Sequence, residues 1–95
     1  MTDDNTTGDG LDSHVNFDAP AVLRKWPSLN NERRLAPNPY LVFEGTLDQC
    51  IREFMARPAA GSHLYEIHTS PQPPLVSDVL SEKIISELAR LRDFL

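Results

Sequence analysis

The sequence predicts one small domain of α/β or α+β class, and three observations carry that expectation. Aromatic and branched residues run through 40–43 between Pro39 and Gly45. Apolar residues recur at helical spacing through 47–55 and again through 80–95, and residues 63–69 alternate apolar with polar. Strand, helix and strand in that order form a βαβ unit, with strand 40–44, helix 47–57 and strand 63–69. A C-terminal amphipathic helix over 78–94 follows it.

Taken in order, residues 1–14 are Asp, Asn, Thr, Gly and Ser with Leu11 as the one apolar side chain after the initiator. Such a segment buries too little surface to offset about 1 to 2 kcal/mol of ordering entropy per residue, and it predicts a disordered acidic tail. Residues 15–39 predict an irregular arm with room for a short helix. Asp18 ahead of Ala19-Pro20 has N-cap spacing, and Pro27 stops the helix within two turns. Leu23, Trp26, Leu29 and Leu35 are scattered through Pro- and Asn-containing sequence, and Pro37-Asn38-Pro39 ends the arm.

Residues 40–95 then form the βαβ-α domain. Thr46 with Gln49 three residues on has the spacing of a capping box. Leu47, Cys50, Ile51, Phe54 and Met55 share one helical face, and Pro58 ends the helix. Ala59-Ala60-Gly61-Ser62 reads as a return loop, and Tyr65 and Ile67 alternate with Glu66 and His68 in the second strand. The two strands are most simply parallel and right-handed, although a different pairing is possible if the arm supplies another strand. The prolines at 71, 73 and 74 make a stiff spacer. Ser77 or Ser81 starts the last helix, whose stripe is Leu80, Ile84, Leu88, Leu91 and Leu95.

Composition narrows the function classes. With 95 residues, 40% of them hydrophobic and 24% charged, the chain has an ordinary globular balance. Its longest apolar run is about four residues where a membrane span needs about 20, so no membrane association is expected. The first 18 residues hold five Asp and no Lys or Arg, the reverse of a secretory signal, which predicts a cytoplasmic location. One cysteine supplies neither a disulfide nor a thiolate cluster for zinc. The net charge of −5 changes sign along the chain, and residues 19–39 carry Arg24, Lys25, Arg33 and Arg34 against Glu32 alone. An acidic protein with one short basic patch makes nucleic acid an unlikely partner.

Five sets of residues are candidates for chemistry. Cys50 sits mid-stripe, so it should be buried and its thiolate suppressed. His63 and His68, five apart in one strand, fall on opposite faces and cannot grip one ion. Glu66 and His68 share a face and could work as a carboxylate and imidazole pair, although no third metal ligand lies nearby. Gly45-Thr46 ahead of a helix could hold an anion on free N–H groups. Arg24, Lys25, Trp26, Arg33 and Arg34 combine charge with an aromatic ring, as protein-binding hot spots do.

Two strands alone would leave one face bare, so the final helix, the Trp26 arm or a second copy of the chain must cover it, and an open strand edge would also accept a partner strand. The expected function is a small non-enzymatic protein-interaction or regulatory module, able to form a homodimer and needing no cofactor or metal. The rival is a small enzyme or an anion- or ligand-binding domain built on Gly45, Thr46, Glu66 and His68. A concave pocket with converging polar groups would favour the rival, and an apolar patch or a dimer seam would favour the module.

Overall fold

A computed structural model describes residues 15–94 of the chain. The expected disordered tail over 1–14 and the expected stripe position Leu95 lie outside the described residues. The fold is a mixed α+β domain. In chain order it comprises β1 (Pro20–Lys25), β2 (Ser28–Leu29), β3 (Glu32–Arg33), β4 (Tyr40–Thr46), α1 (Leu47–Met55), a 3-10 helix (Ala59–Leu64), β5 (Tyr65–Thr69), β6 (Val79–Leu80) and α2 (Glu82–Phe94).

The main sheet has the order β4-β1-β5-β6, and every neighbouring pair is antiparallel. β4 and β5 therefore run parallel to each other with β1 inserted between them, the pairing in which the arm supplies a strand. Residues 20–25 are extended where a short helix was expected. Pro20 and Pro27 leave too few residues between them for a stable helix, whereas period-two alternation buries Ala21 and Leu23. Pro20 lies at the first position of β1, where a strand tolerates a missing donor. Asn16, rather than Asp18, organises the entry turn. Its Oδ1 accepts from the Asp18 amide at 3.0 Å and its carbonyl from the Ala19 amide at 3.3 Å.

Cross-strand partners share a face, so Leu23, Phe43 and Ile67 point one way, with Leu80 beside Ile67. Against that face pack Leu47, Cys50, Ile51 and Phe54 of α1 and Ile85, Leu88 and Ala89 of α2. Both helices thus lie on one side of the sheet. Asp48 of α1 joins them by accepting from Arg52 at 2.8 Å and from Arg92 of α2 at 3.0 Å.

Several boundaries differ from the sequence expectation for local reasons. A bulge at Val42 shifts the register between Leu23 and Arg24, so Val42 and Phe43 both pack on the core while Leu41 turns out to the other face. α1 stops at Met55, two residues short of the expected end, because Pro58 disfavours helical backbone ahead of it. Met55 is the last helical residue and is exposed rather than part of the buried stripe. The expected return loop at 59–62 continues as 3-10 turns to Leu64, and the strand begins at Tyr65 instead of His63. Val79 and Leu80 pair with β5, which delays the last helix to Glu82 and leaves Ser81 at its start, its carbonyl accepting from the Ile85 amide at 2.9 Å.

Candidate protein-binding face

The face of the sheet turned away from the helices is built from the alternate residues. Glu44, Val22, His68 and Val79 form one cross-strand row, and Leu41, Arg24 and Glu66 form the next. Trp26 continues the alternation of β1 past its end, and its backbone N–H donates to the Leu64 carbonyl at 2.8 Å. Its indole Nε1–H donates to Glu66 Oε1 at 2.8 Å, and Glu66 Oε2 is bonded to His68 Nε2 at 2.5 Å. Glu66 thereby has both oxygens engaged. Trp26 is half-buried on the sheet, not a free ring on a loose arm.

β2 and β3 form a hairpin that carries a cation back to this ring. Asn30 and Asn31 have φ of 54° and 63°, the pair of left-handed positions that a two-residue turn requires, and Asn is among the residues that adopt them at least cost. The turn returns Arg33, whose guanidinium carbon lies 3.5 Å from the centre of the Trp26 ring. His63 fixes the tip, its Nε2 lying 2.8 Å from the Asn31 carbonyl. That histidine serves the hairpin and has no contact with His68.

Of the five residues expected to bind a partner, the structure brings together Arg24, Trp26 and Arg33. Lys25 is separated from them by the alternation of β1. It faces the helix side, where its Nζ sits 5.6 Å from the centre of the Tyr65 ring. Arg34 is exposed beyond the hairpin, held there by its backbone N–H to the Pro27 carbonyl at 2.7 Å. The Nε of Arg24 is buried with no hydrogen-bond partner among the described residues. Glu66 is its cross-strand neighbour but bonds to Trp26 and His68 instead.

The residues of the rival reading are placed differently. Thr46 Oγ1 accepts from the Gln49 amide at 3.1 Å, and the Thr46 amide donates to Gln49 Oε1 at 2.9 Å, which completes the capping box. The Leu47 and Asp48 amides donate to the carbonyls of Ala19 and Phe17 at 2.8 and 2.9 Å. Every amide from Thr46 to Gln49 is therefore occupied by the chain itself, and none is left for an anion. Gly45 is needed for that closure, because a Cβ there would collide with Gln49 Oε1.

Gly45 and His68 do line one shallow groove of about 510 Å³, floored by Val22 and walled by Glu44 and Pro71. The Glu66–His68 pair is oriented by Trp26, which is a stabilising polar network on a sheet surface as much as a proton relay. Among the described residues no group of three or more His, Cys, Asp or Glu could hold a metal ion. Cys50 is fully buried, and burial pushes its thiol up to about 11, far from a reactive thiolate.

Neither the hairpin that seats Arg33 on Trp26 nor the pairing of Arg24 and Trp26 with Glu66 is readable from the sequence, since the pairing exists only if β1 is a strand. The one signal for it was the Ala21/Leu23 against Val22/Arg24 alternation, four residues long. No known protein family matches the chain, and no curated protein or solved structure is significantly similar to it.

Proposed function

We propose that this chain is a small non-enzymatic protein-interaction module that receives its partner on the open face of its sheet. The observation that carries this reading is the one-sided packing of the fold. Both helices bury the Leu23 and Ile67 face, whereas the opposite face presents Leu41 and Val79, about half exposed, beside Arg24, Trp26 and Arg33. Exposed apolar residues next to arginine and a rigid aromatic ring have the composition of an interface centre. No helix among the described residues is long and apolar enough to cross a membrane. A buried, unpaired thiol also suits the cytoplasm as the place of this interaction.

Self-association through the outer edge of β4 is the lesser reading, because the Val42 bulge and the Glu44 carboxylate are the features that blunt edge-to-edge pairing. The experiment is site-specific photocrosslinking of the full chain in its native cell extract. Benzoylphenylalanine at Leu41 is expected to trap a discrete partner, and at Glu87 on the outer side of α2 to trap none. Adducts from Glu87 alone would move the interface to the helices, and a Leu41 adduct of twice the chain mass would make the partner a second copy.

A further inference from the structure

Among the described residues three arginines are paired with carboxylates, while Lys25, Arg34, Lys83 and Arg90 contact none, so pairing alone does not separate the two sides of the sheet. Arg52, Arg57 and Arg92 on the helical side each contact a carboxylate, at 2.8, 3.1 and 3.0 Å. Arg24 and Arg33, on or over the open face, contact none among the described residues. Arg24 goes further, because its Nε is buried and makes no hydrogen bond there. A buried N–H on a charged group is expensive to leave without an acceptor, since it has given up water for nothing. Its strand neighbour Glu66 supplies none, its carboxylate bonding to Trp26 and His68 instead.

The orphan donor lies in a row with exposed Leu41, and near a second cation that is held rigidly rather than waving in solvent. The Arg33 guanidinium carbon lies 3.5 Å from the centre of the Trp26 ring, a cation–π contact that seats the side chain over the ring. Two guanidiniums without carboxylates, one of them half-sunk and one seated on a ring, are arranged for a ligand that brings oxygen anions to them. We infer that the open face binds an acidic protein segment, with a carboxylate engaging the Arg24 guanidinium, a second engaging Arg33, and an apolar side chain resting on Leu41.

The alternative polyanion, single-stranded nucleic acid, is disfavoured by the same geometry. Such sites stack bases on an open aromatic face, but Arg33 already covers one face of the Trp26 ring. The Glu44 and Glu66 carboxylates on the same sheet face, and the net charge of −5, repel a continuous phosphate backbone while tolerating discrete carboxylates.

This inference rests on the interaction reading and specifies the chemistry of the partner. Trp26 is the sole tryptophan of the chain, so its fluorescence reports on the site directly. The full chain is titrated at low ionic strength with hexaglutamate, with hexalysine and with octathymidylate. Hexaglutamate is expected to give a saturable change that weakens with salt. The change should be at least tenfold weaker in Arg24→Gln and in Arg33→Gln, and unaltered in Arg52→Gln, whose guanidinium belongs to α1. Arg33 is exposed, so its variant keeps the test valid should Arg24→Gln lower stability. Absence of a saturable response, or an equal response in the Arg24 and Arg33 variants, overturns the inference. Tighter binding of octathymidylate through the same arginines overturns it in favour of nucleic acid. If the Leu41 crosslink forms while hexaglutamate gives nothing, the interaction reading stands and only the acidic partner falls.

Discussion

Trp26 and Glu66, forty residues apart in sequence, are joined by an indole N–H donating to Oε1 at 2.8 Å on the open face of the sheet. That bond pins the hairpin-bearing end of β1 to β5. Trp26→Phe keeps most of the apolar contact but leaves Glu66 Oε1 without its donor, and it is expected to cost about 1 to 2 kcal/mol in urea unfolding. Trp26→Ala also removes the seat of Arg33, and about 3 kcal/mol is expected. Phe and Ala variants of equal stability would mean that the ring packs on nothing.

Gly45 is the second position where a small change should register. A Cβ would run into Gln49 Oε1 and come within 3.0 Å of the Phe43 ring, so Gly45→Ala must open the capping box. The displaced atom ends a flexible side chain, and Thr46 Oγ1 keeps its bond from the Gln49 amide. The expected loss is therefore about 0.5 to 1 kcal/mol, the low end of the range for losing an N-cap. Gln49→Ala removes the obstructing atom, so the double variant should lose clearly less than the two single losses combined. Strict additivity in thermal melts would contradict the steric account.

Asp48 couples the two helices and carries a pH dependence of definite sign. Hydrogen bonds from Arg52 and then Arg92 hold its carboxyl below the ordinary 3.8, against the opposing effect of burial. A group depressed in the folded state contributes stability above its unfolded value, and that contribution disappears as pH falls from about 4 through the folded value. Arg52 is two-thirds exposed and solvent-screened, whereas Arg92 is 23% exposed and spans α1 to α2. Arg92→Gln is therefore expected to cost about 1 kcal/mol at pH 7 and Arg52→Gln less. Stability of Asp48→Asn should fall less steeply than that of the unaltered chain between pH 5 and pH 3.

The parts of the fold that were legible in the sequence share one property, which is that their signal is local. The Thr46–Gln49 box and Leu47, Cys50, Ile51 and Phe54 of the first stripe are written within one element and form. Met55 is exposed, and the second stripe forms only in part, with Leu80 in β6 and Ile85, Leu88 and Ala89 as the buried residues of α2. β1 was not legible. Four alternating residues between two prolines satisfy a capped helix turn as well as a strand, and only the long-range ladders to β4 and β5 decide between them. The same ladders decided the site. Without β1 as a central strand, Arg24 and Glu66 have no reason to meet, and Lys25 cannot be told from Arg24 by face. The Val42 bulge likewise leaves no mark in the sequence, yet it turns Leu41 from core to surface.

Cys50 provides the last test, because it reports on the core and on the absence of thiol chemistry together. Its side chain has no exposure, and burial raises its thiol from 9.0 to about 11, with the Glu53 charge adding to the rise and the Gly45 backbone opposing it. In the folded chain at pH 8 the thiol should be neutral and shielded. Labelling with a thiol reagent should then proceed only through opening, and should be slowed by orders of magnitude relative to the chain in urea. The linkage sign follows from the raised value. The folded state keeps its proton where the unfolded state releases it, so the stability this group contributes is complete below about pH 9 and is lost as pH rises towards 11. Two units correspond to at most about 3 kcal/mol. Other groups titrate in that range, so the decisive quantity is the stability difference between the unaltered chain and Cys50→Ala. That difference should move against the cysteine chain between pH 8 and pH 10.5. A difference independent of pH, or labelling as fast as in the unfolded chain, would place Cys50 outside the core and reopen its use as a nucleophile.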